Sequence, residues 1–272
     1  MPGSNADALR DLLAGSPPRI ELDVAALEIA RIEYPDLDIN SSIAQLDHYA
    51  FEIARRVHDF SDGAGFVAAA NEYLFGELGF RGDDEDYYSP ANCCLNRVLE
   101  TRRGIPITLS IVYIEIARRL AKPVRGVGLP GHFVVRYDDP SYSAIIDPFH
   151  GGQIVDAARC RYLGQLESLD EGMLNAVDHG HIAMRLINNL RGIYFTRRDG
   201  AKALRLLDLL IEADPDSADE HKQRAAALLQ ERRIAEAFTA FKRYLDLSPG
   251  APDRESIEEQ MRSIAFWLAS RN

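Results

Sequence analysis

The sequence is poor in cysteine and in long apolar runs. Its 272 residues include three cysteines, Cys93, Cys94 and Cys160, and an odd, small number is not typical of a disulfide framework. The longest uncharged run of the central region, 104–114, is too short to span a bilayer. Residues 1–10 lack the basic region followed by an apolar core that marks a signal peptide. We therefore expect a protein of the reducing cytoplasm with no membrane partner.

The sequence also lacks an excess of positive charge. It has 31 Lys and Arg against 42 Asp and Glu, a formal net charge of -11, whereas a protein that binds phosphate backbones needs clustered cations. The densest acidic run, 83–86, is most simply a solvated loop, and the alternative is a site for a cation or a basic partner. No glycine-rich loop precedes a helix to hold a phosphate. We predict no nucleic-acid partner and no cofactor.

The apolar spacing changes from helical to strand-like near residue 120. The 106–120 helix is apolar nearly all round and is expected to be buried, with Pro106 in its first turn. A helical half followed by a small antiparallel sheet indicates an α+β domain, which we assign to residues 1–170. The helices predicted before the 106–120 helix cover 22–30, 44–57, 64–77 and 91–101, with a loop at 79–90. The predicted strands cover 124–129, 133–137, 144–146 and 153–155.

A repeat follows in residues 171–272. Tyr194, Ala203, Leu207 and Pro215 are followed 34 residues later by Leu228, Ala237, Phe241 and Pro249. A 34-residue period with a small alanine in the second helix and a proline after it predicts an all-α tetratricopeptide-like domain. The first-helix Trp and Gly of the pattern are absent, so the repeats are degenerate, and an unrelated bundle of helical hairpins is the alternative. A last helix, with apolar residues from 257 to 268, is expected to cap the array.

One pair of residues has the chemistry of a catalytic site. His132 opens a predicted strand after Gly131, and Asp147 closes a neighbouring strand before Pro148. An imidazole beside a carboxylate can serve as the base and the orienting group of nucleophilic catalysis. The missing member is a nucleophile, which would be best placed at a helix N-terminus.

Three ordered blocks carry a resemblance to a known family. Residues 102–110 (RRGIPITLS), 130–133 (PGHF) and 146–149 (IDPF) resemble the SirB-type transglutaminase-like family, whose members carry a C-terminal tetratricopeptide segment. The resemblance implies a papain-like core in which a buried helix packs on an antiparallel sheet. It also implies that His132 and Asp147 match the His and Asp of the pattern, and that Pro106 occupies the position of the nucleophilic cysteine.

Other residues are candidates for a substitute nucleophile or a ligand. Ser110, one turn beyond Pro106, is a cleft candidate, and Thr108, Cys93 and Cys94 are weaker ones. The His132–Asp147 pair alternatively ties two strands together or lines a binding cleft. His150 could join that pair at a metal, and 179–181 holds a second pair of histidines, but neither spacing matches a zinc signature, so we predict no metal. Arg103 is either an anion contact at the helix start or part of a surface ion pair near Glu100.

These observations favour a non-catalytic interaction or regulatory protein. The expected partner is a protein or peptide held in the groove of the repeats, with Leu190, Tyr194, Gln223 and Arg224 as predicted lining residues. The alternative is a hydrolase or acyl transferase that uses His132 and Asp147 with an unusual nucleophile. A third interpretation, a scaffold with no ligand cleft, predicts a filled space between Pro106 and His132.

Overall fold

The computed structural model describes residues 21–270, so the expectation about a signal peptide at residues 1–10 lies outside the described residues. The chain forms two compact units, which meet in sequence between Leu186 and Ile187. None of the helices described is long and apolar enough to cross a membrane.

The helices of the first unit agree with the periodic pattern, with differences at their ends. The side chain of Asp38 accepts a hydrogen bond from the Asn40 N–H at 3.1 Å, so the second helix begins at Ile39. The predicted 64–77 helix is an α-helix that continues as a π-helix, Glu72–Glu77, and a 3₁₀ turn, Pro90–Cys93, precedes the fourth helix. The helices are α1 (Leu22–Ala30), α2 (Ile39–Ala54), α3 (Gly63–Asn71), α4 (Leu95–Thr101), α5 (Pro106–Arg119) and α6 (Ala157–Leu163).

The central helix α5 packs against the sheet and is buried along most of its length. Pro106 is its first residue, where the missing N–H has no intrahelical partner to lose. The Thr108 hydroxyl accepts the Ile105 N–H at 3.1 Å and donates to the Asn92 carbonyl at 2.8 Å. Polar groups at the start of the helix therefore find hydrogen-bond partners within the fold.

The strands of the main sheet are β3 (Val124–Leu129), β4 (His132–Asp138), β5 (Ser143–Asp147), β6 (Gln153–Val155) and β7 (Ala176–Val177). Their spatial order is β6–β5–β4–β3–β7, and neighbouring strands are antiparallel. A separate parallel pair joins β1 (Arg81–Gly82) to β2 (Arg103–Gly104). The α+β prediction is confirmed. Because β7 pairs with β3, the first compact unit includes residues beyond 170, and the 1–170 and 171–272 division stays a prediction.

The second unit is all helical, as the repeat predicts. Ala203 and Ala237 are fully buried, which agrees with close helix packing at these positions. Arg191 and Glu220 form a largely buried ion pair at 2.7 Å between successive first helices of the repeats. The helices are α7 (His179–Arg197), whose first residues belong to the first unit, α8 (Gly200–Ala213), α9 (Ala218–Gln230), α10 (Ile234–Leu247) and α11 (Arg254–Ala269).

Candidate functional site

His132 is held at the start of β4 by the turn before it. Gly131 has a φ of 67°, a left-handed conformation that glycine adopts without strain. One guanidinium nitrogen of Arg185 donates to the carbonyls of Leu129 and His132 at 2.6 and 2.7 Å, so both sides of the turn are fixed. His132 is buried, and its ring lies edge-on to Phe149, with ring centroids 5.9 Å apart.

Asp147 lies at the end of β5 and is fully buried. Its Oδ2 is 3.0 Å from Nε2 of His132 and 2.7 Å from Nδ1 of His150. Its Oδ1 accepts the backbone N–H groups of Phe149 and His150 at 3.0 and 3.3 Å. Burial alone would raise the pKa of Asp147, but the two histidines outweigh burial and hold that pKa below its ordinary value. The carboxylate is therefore favoured in its ionised form.

His150 comes from the tight turn that joins β5 to β6. Gly151 and Gly152 have φ angles of 70° and 73°, and the Gly152 N–H donates to the Asp147 carbonyl at 2.9 Å. A Cβ on Gly152 would lie 2.4 Å from Cδ2 of Phe75, so the turn leaves no room for a side chain there. The two glycines thus return the chain and place His150 beside Asp147.

Pro106, at the predicted nucleophile position, is buried and carries no nucleophilic atom. Asp147 is the one hydrogen-bond partner of the His132 ring within residues 21–270. No thiol or hydroxyl in that part of the chain makes a hydrogen bond to the His132 ring. The pair has the geometry of a base and its orienting carboxylate, without the third member.

The substitute nucleophiles are buried and lie apart from His132 in the hydrogen-bond network. Ser110 is fully buried, and its Oγ has no hydrogen-bond partner in the described structure. Thr108 is committed to the start of α5, and the Cys94 thiol donates to the Pro90 carbonyl at 3.3 Å. Burial raises the pKa of the Cys93 thiol to about 12. Since the thiolate is the nucleophile, the raised pKa disfavours Cys93 in that role.

The structure corrects the expected surroundings of Arg103 and of the acidic run. Arg103 lies 3.1 Å from Glu85 and 3.5 Å from Asp83, while Glu100 pairs with Arg97 instead. The parallel pairing of β1 with β2 places Arg81 opposite Arg103, and the acidic run follows directly after β1. The pairing therefore brings the acidic side chains close to Arg103. The acidic run is thus partly neutralised, and Arg103 already has two anionic partners.

The structure also corrects the predicted lining of the repeat groove. Leu190 and Tyr194 are 0% and 1% exposed, since they occupy the apolar face of α7. Gln223 and Arg224 are half-buried, and Arg224 bonds to Asp208 at 2.6 Å. Leu190 and Tyr194 are therefore buried in the fold and cannot contact a partner in an exposed groove.

His150 completes the site, although the sequence pattern indicates it only as a possible metal ligand. The structure places one donor atom each of His132, Asp147 and His150 within 4.8 Å of one another. The sequence feature that places His150 near Asp147 is the short spacing between them with glycines after it, which is typical of a tight turn. His181, from the other histidine pair, contacts Asp178 at 2.8 Å and lies exposed.

Comparisons with known proteins agree with the two-part organisation. The sequence profile of the transglutaminase-like superfamily matches residues 40–188, and the tetratricopeptide-repeat profile matches residues 190–262. A UPF0162 protein of Xylella fastidiosa is 37% identical over 248 residues, which is 88% of each chain. A UPF0162 protein of Pseudomonas aeruginosa is 32% identical over 82% of each chain. The human F-box only protein 21 is 32% identical over 54% of this chain and 25% of its own length.

Proposed function

Because this chain belongs to the transglutaminase-like superfamily, in its SirB-type form with a tetratricopeptide segment, we propose that it is a non-catalytic interaction or regulatory protein. The observation that carries the proposal is Pro106 at the first position of α5, the position that the resemblance assigns to the nucleophilic cysteine of active transglutaminase-like domains. A pyrrolidine ring cannot attack an acyl group. We place the protein in the cytoplasm, in keeping with its three free, buried cysteines.

The surroundings of His132 support the same proposal. A general base needs its nucleophile within hydrogen-bond reach, about 2.6–3.2 Å. In the described residues, the only such partner of the His132 ring is Asp147. The His132–Asp147 pair therefore remains as an oriented, buried polar group without an acyl-transfer function.

An activity assay tests the absence of catalysis. We expect the purified chain and its His132→Ala variant to give the same background rates with ester, peptide and glutamine–amine substrates. The alternative function, a hydrolase or acyl transferase with Ser110 as nucleophile, predicts turnover that both His132→Ala and Ser110→Ala abolish. That second outcome would overturn the proposal.

The repeats support a protein or peptide partner, because tetratricopeptide arrays generally present an extended binding surface. A matched pair of exposed alanines tests where the partner binds. Ala226 lies on α9, a first helix of a repeat, and Ala235 lies on α10, a second helix. We expect Ala226→Glu to abolish capture of a partner that the unmodified chain retains, and Ala235→Glu to preserve it. Equal capture by both variants would argue against a groove formed by the first helices.

A further inference from the structure

The turn between β5 and β6 adds a third donor to the His132–Asp147 pair. Nε2 of His132 and Nδ1 of His150 approach the same atom, Oδ2 of Asp147, at 3.0 and 2.7 Å. We propose that these three side chains bind a divalent transition-metal ion, and that the ion is Zn²⁺. This inference goes beyond the proposed function, which gives the pair no ligand.

The donor set decides the class of ion. Two imidazole nitrogens and one carboxylate oxygen are the protein ligands of zinc sites that keep a fourth position open. The same set also suits Fe²⁺, but an N/O site of this kind binds Zn²⁺ more tightly than Fe²⁺. A hard cation such as Mg²⁺ or Ca²⁺ prefers oxygen donors and would not favour two imidazoles.

The distances fit such a site with small movements. Zinc bonds to nitrogen and oxygen are about 2.0–2.2 Å long, so donors around a tetrahedral ion lie about 3.3 Å apart. The two nitrogen–oxygen distances are a few tenths of an ångström shorter than this. The nitrogens lie within 4.8 Å of each other. The His150 ring is partly exposed, which leaves it room to rotate toward the required spacing.

The atoms behind the donors are already fixed. Oδ1 of Asp147 accepts the N–H groups of Phe149 and His150, which leaves Oδ2 directed at the two rings. Arg185 holds the His132 carbonyl at 2.7 Å. Hydrogen bonds of this kind orient metal ligands and strengthen binding.

Burial falls across the three ligands, which provides a route for the ion. The side chains of Asp147 and His132 are 1% and 8% exposed, whereas that of His150 is 35% exposed. An ion can therefore enter past His150 and be shielded from water on the side of the other two ligands. The competing arrangement has a proton at each histidine–aspartate contact and no metal, and the experiment separates the two.

Calorimetric titration of the metal-stripped full chain with Zn²⁺ alone, without a histidine tag, tests the proposal. We expect one ion per chain and a higher melting temperature in its presence. His150→Ala and His132→Gln should each weaken binding at least as much as loss of an outer-shell partner, about 10–100-fold. His181→Ala is the matched control, because that histidine also lies three residues after an aspartate and contacts it at 2.8 Å.

Two results would overturn the proposal: the absence of Zn²⁺ binding by the unmodified chain, or binding that His150→Ala leaves unchanged while His181→Ala removes it. Titration of the unmodified chain with Co²⁺ gives a readout that needs no variant. Strong visible absorption is expected from a four-coordinate site, and weak absorption from an ion held loosely at the surface would contradict it. Neither readout depends on enzymatic turnover, so the proposed function is tested separately.

Discussion

Pro106 shapes the first turn of α5 without donating a backbone hydrogen bond. The N–H that a different residue would contribute at this position has no carbonyl partner within the helix. The Thr108 hydroxyl provides the polar contact at this helix start, through the Ile105 N–H and the Asn92 carbonyl. The identity of residue 106 therefore affects the chemistry available at the site more than it affects formation of the helix.

A Pro106→Cys variant is expected to fold. Proline in a compatible conformation stabilises a protein by about 0.4–1 kcal/mol through the unfolded chain, so the free energy of unfolding should fall by no more than this. Denaturant unfolding monitored by circular dichroism measures the change. Failure of the variant to fold would show that the helix does not tolerate another residue at its first position.

The β5–β6 turn depends on two glycines in different ways. Both have positive φ angles, but only Gly152 lies against a ring, since no atom lies within 4 Å of a Cβ built on Gly151. Substitutions at the two glycines can thus separate the energetic cost of the backbone conformation from that of a steric clash.

Gly151→Ala is expected to lower the free energy of unfolding by about 1–2 kcal/mol, the cost of a left-handed conformation for an L-residue. Gly152→Ala should lose roughly 1–3 kcal/mol more, because its methyl group collides with Phe75. Thermal unfolding of the two variants gives the comparison. Equal losses would mean that the Phe75 ring moves aside freely.

The helix pairs of the second unit depend on small residues at their contacts. Ala203→Leu and Ala237→Leu are expected to overpack these contacts and to cost roughly 1–3 kcal/mol each. The exposed alanines Ala201 and Ala235, on the same two helices, are the controls, and their change to leucine should stay within about 0.5 kcal/mol. Melting curves that do not distinguish the buried from the exposed pair would contradict the repeat register.

The elements with a clear period were predictable from sequence. The buried helix predicted at 106–120 is Pro106–Arg119, and the strand predicted at 124–129 is β3 with the same bounds. Apolar periodicity predicts such elements because burial decides their conformation. The pairing of His132 with Asp147 was also predictable, because the two residues lie at the ends of strands in the same sheet.

Elements that depend on distant contacts were not predictable. The β1 and β2 strands have two residues each, too few for an alternating pattern, and they pair across the intervening chain. That pairing gives Arg103 its anionic partners, so its surroundings could not be deduced from neighbours in sequence. The position of His150 depends on the path of a turn, which periodicity does not describe.

The stability of the first unit at low pH depends on a buried ion cluster between α1 and α5. Asp23 is 2% exposed and lies 2.6 Å from Arg119, which also contacts Glu115 and Asp47. Burial would raise the pKa of Asp23, but Arg119 outweighs it and holds that pKa below its ordinary value of 3.8. Burial, and then the charge of Asp23, raise the pKa of Glu115.

A carboxylate with a lowered pKa stabilises the folded state above its unfolded pKa, and that contribution is lost as pH falls through the folded pKa. Asp23→Asn should therefore lower the free energy of unfolding at pH 7, near the lower end of roughly 3–5 kcal/mol, because Arg119 keeps two other partners. The difference from the unmodified chain should shrink as pH falls below about 3.8. Urea unfolding across this range measures it.

Asp47→Asn is the control for this cluster. Asp47 contacts the same Arg119 at 2.6 Å, but its side chain is 60% exposed. Exposed ion pairs contribute about 0–1 kcal/mol, so this variant should change stability little at any pH. Equal effects of the two variants would show that burial does not govern the cluster.

The π-helix at Glu72–Glu77 has a consequence for how the chain length can change in related sequences. A turn of this kind holds one residue more than the α-helical turn that would replace it. Deleting one residue there would restore a regular helix, and the residues before and after the deletion would keep their faces, because the wide turn alone absorbs the extra residue. Phe75, which stacks on Tyr113 and closes over Gly152, lies inside that turn, so the direction of its side chain would change. Relatives that are one residue shorter here should therefore lose the ring contact over the β5–β6 turn, while the positive φ of Gly152 would still favour glycine there.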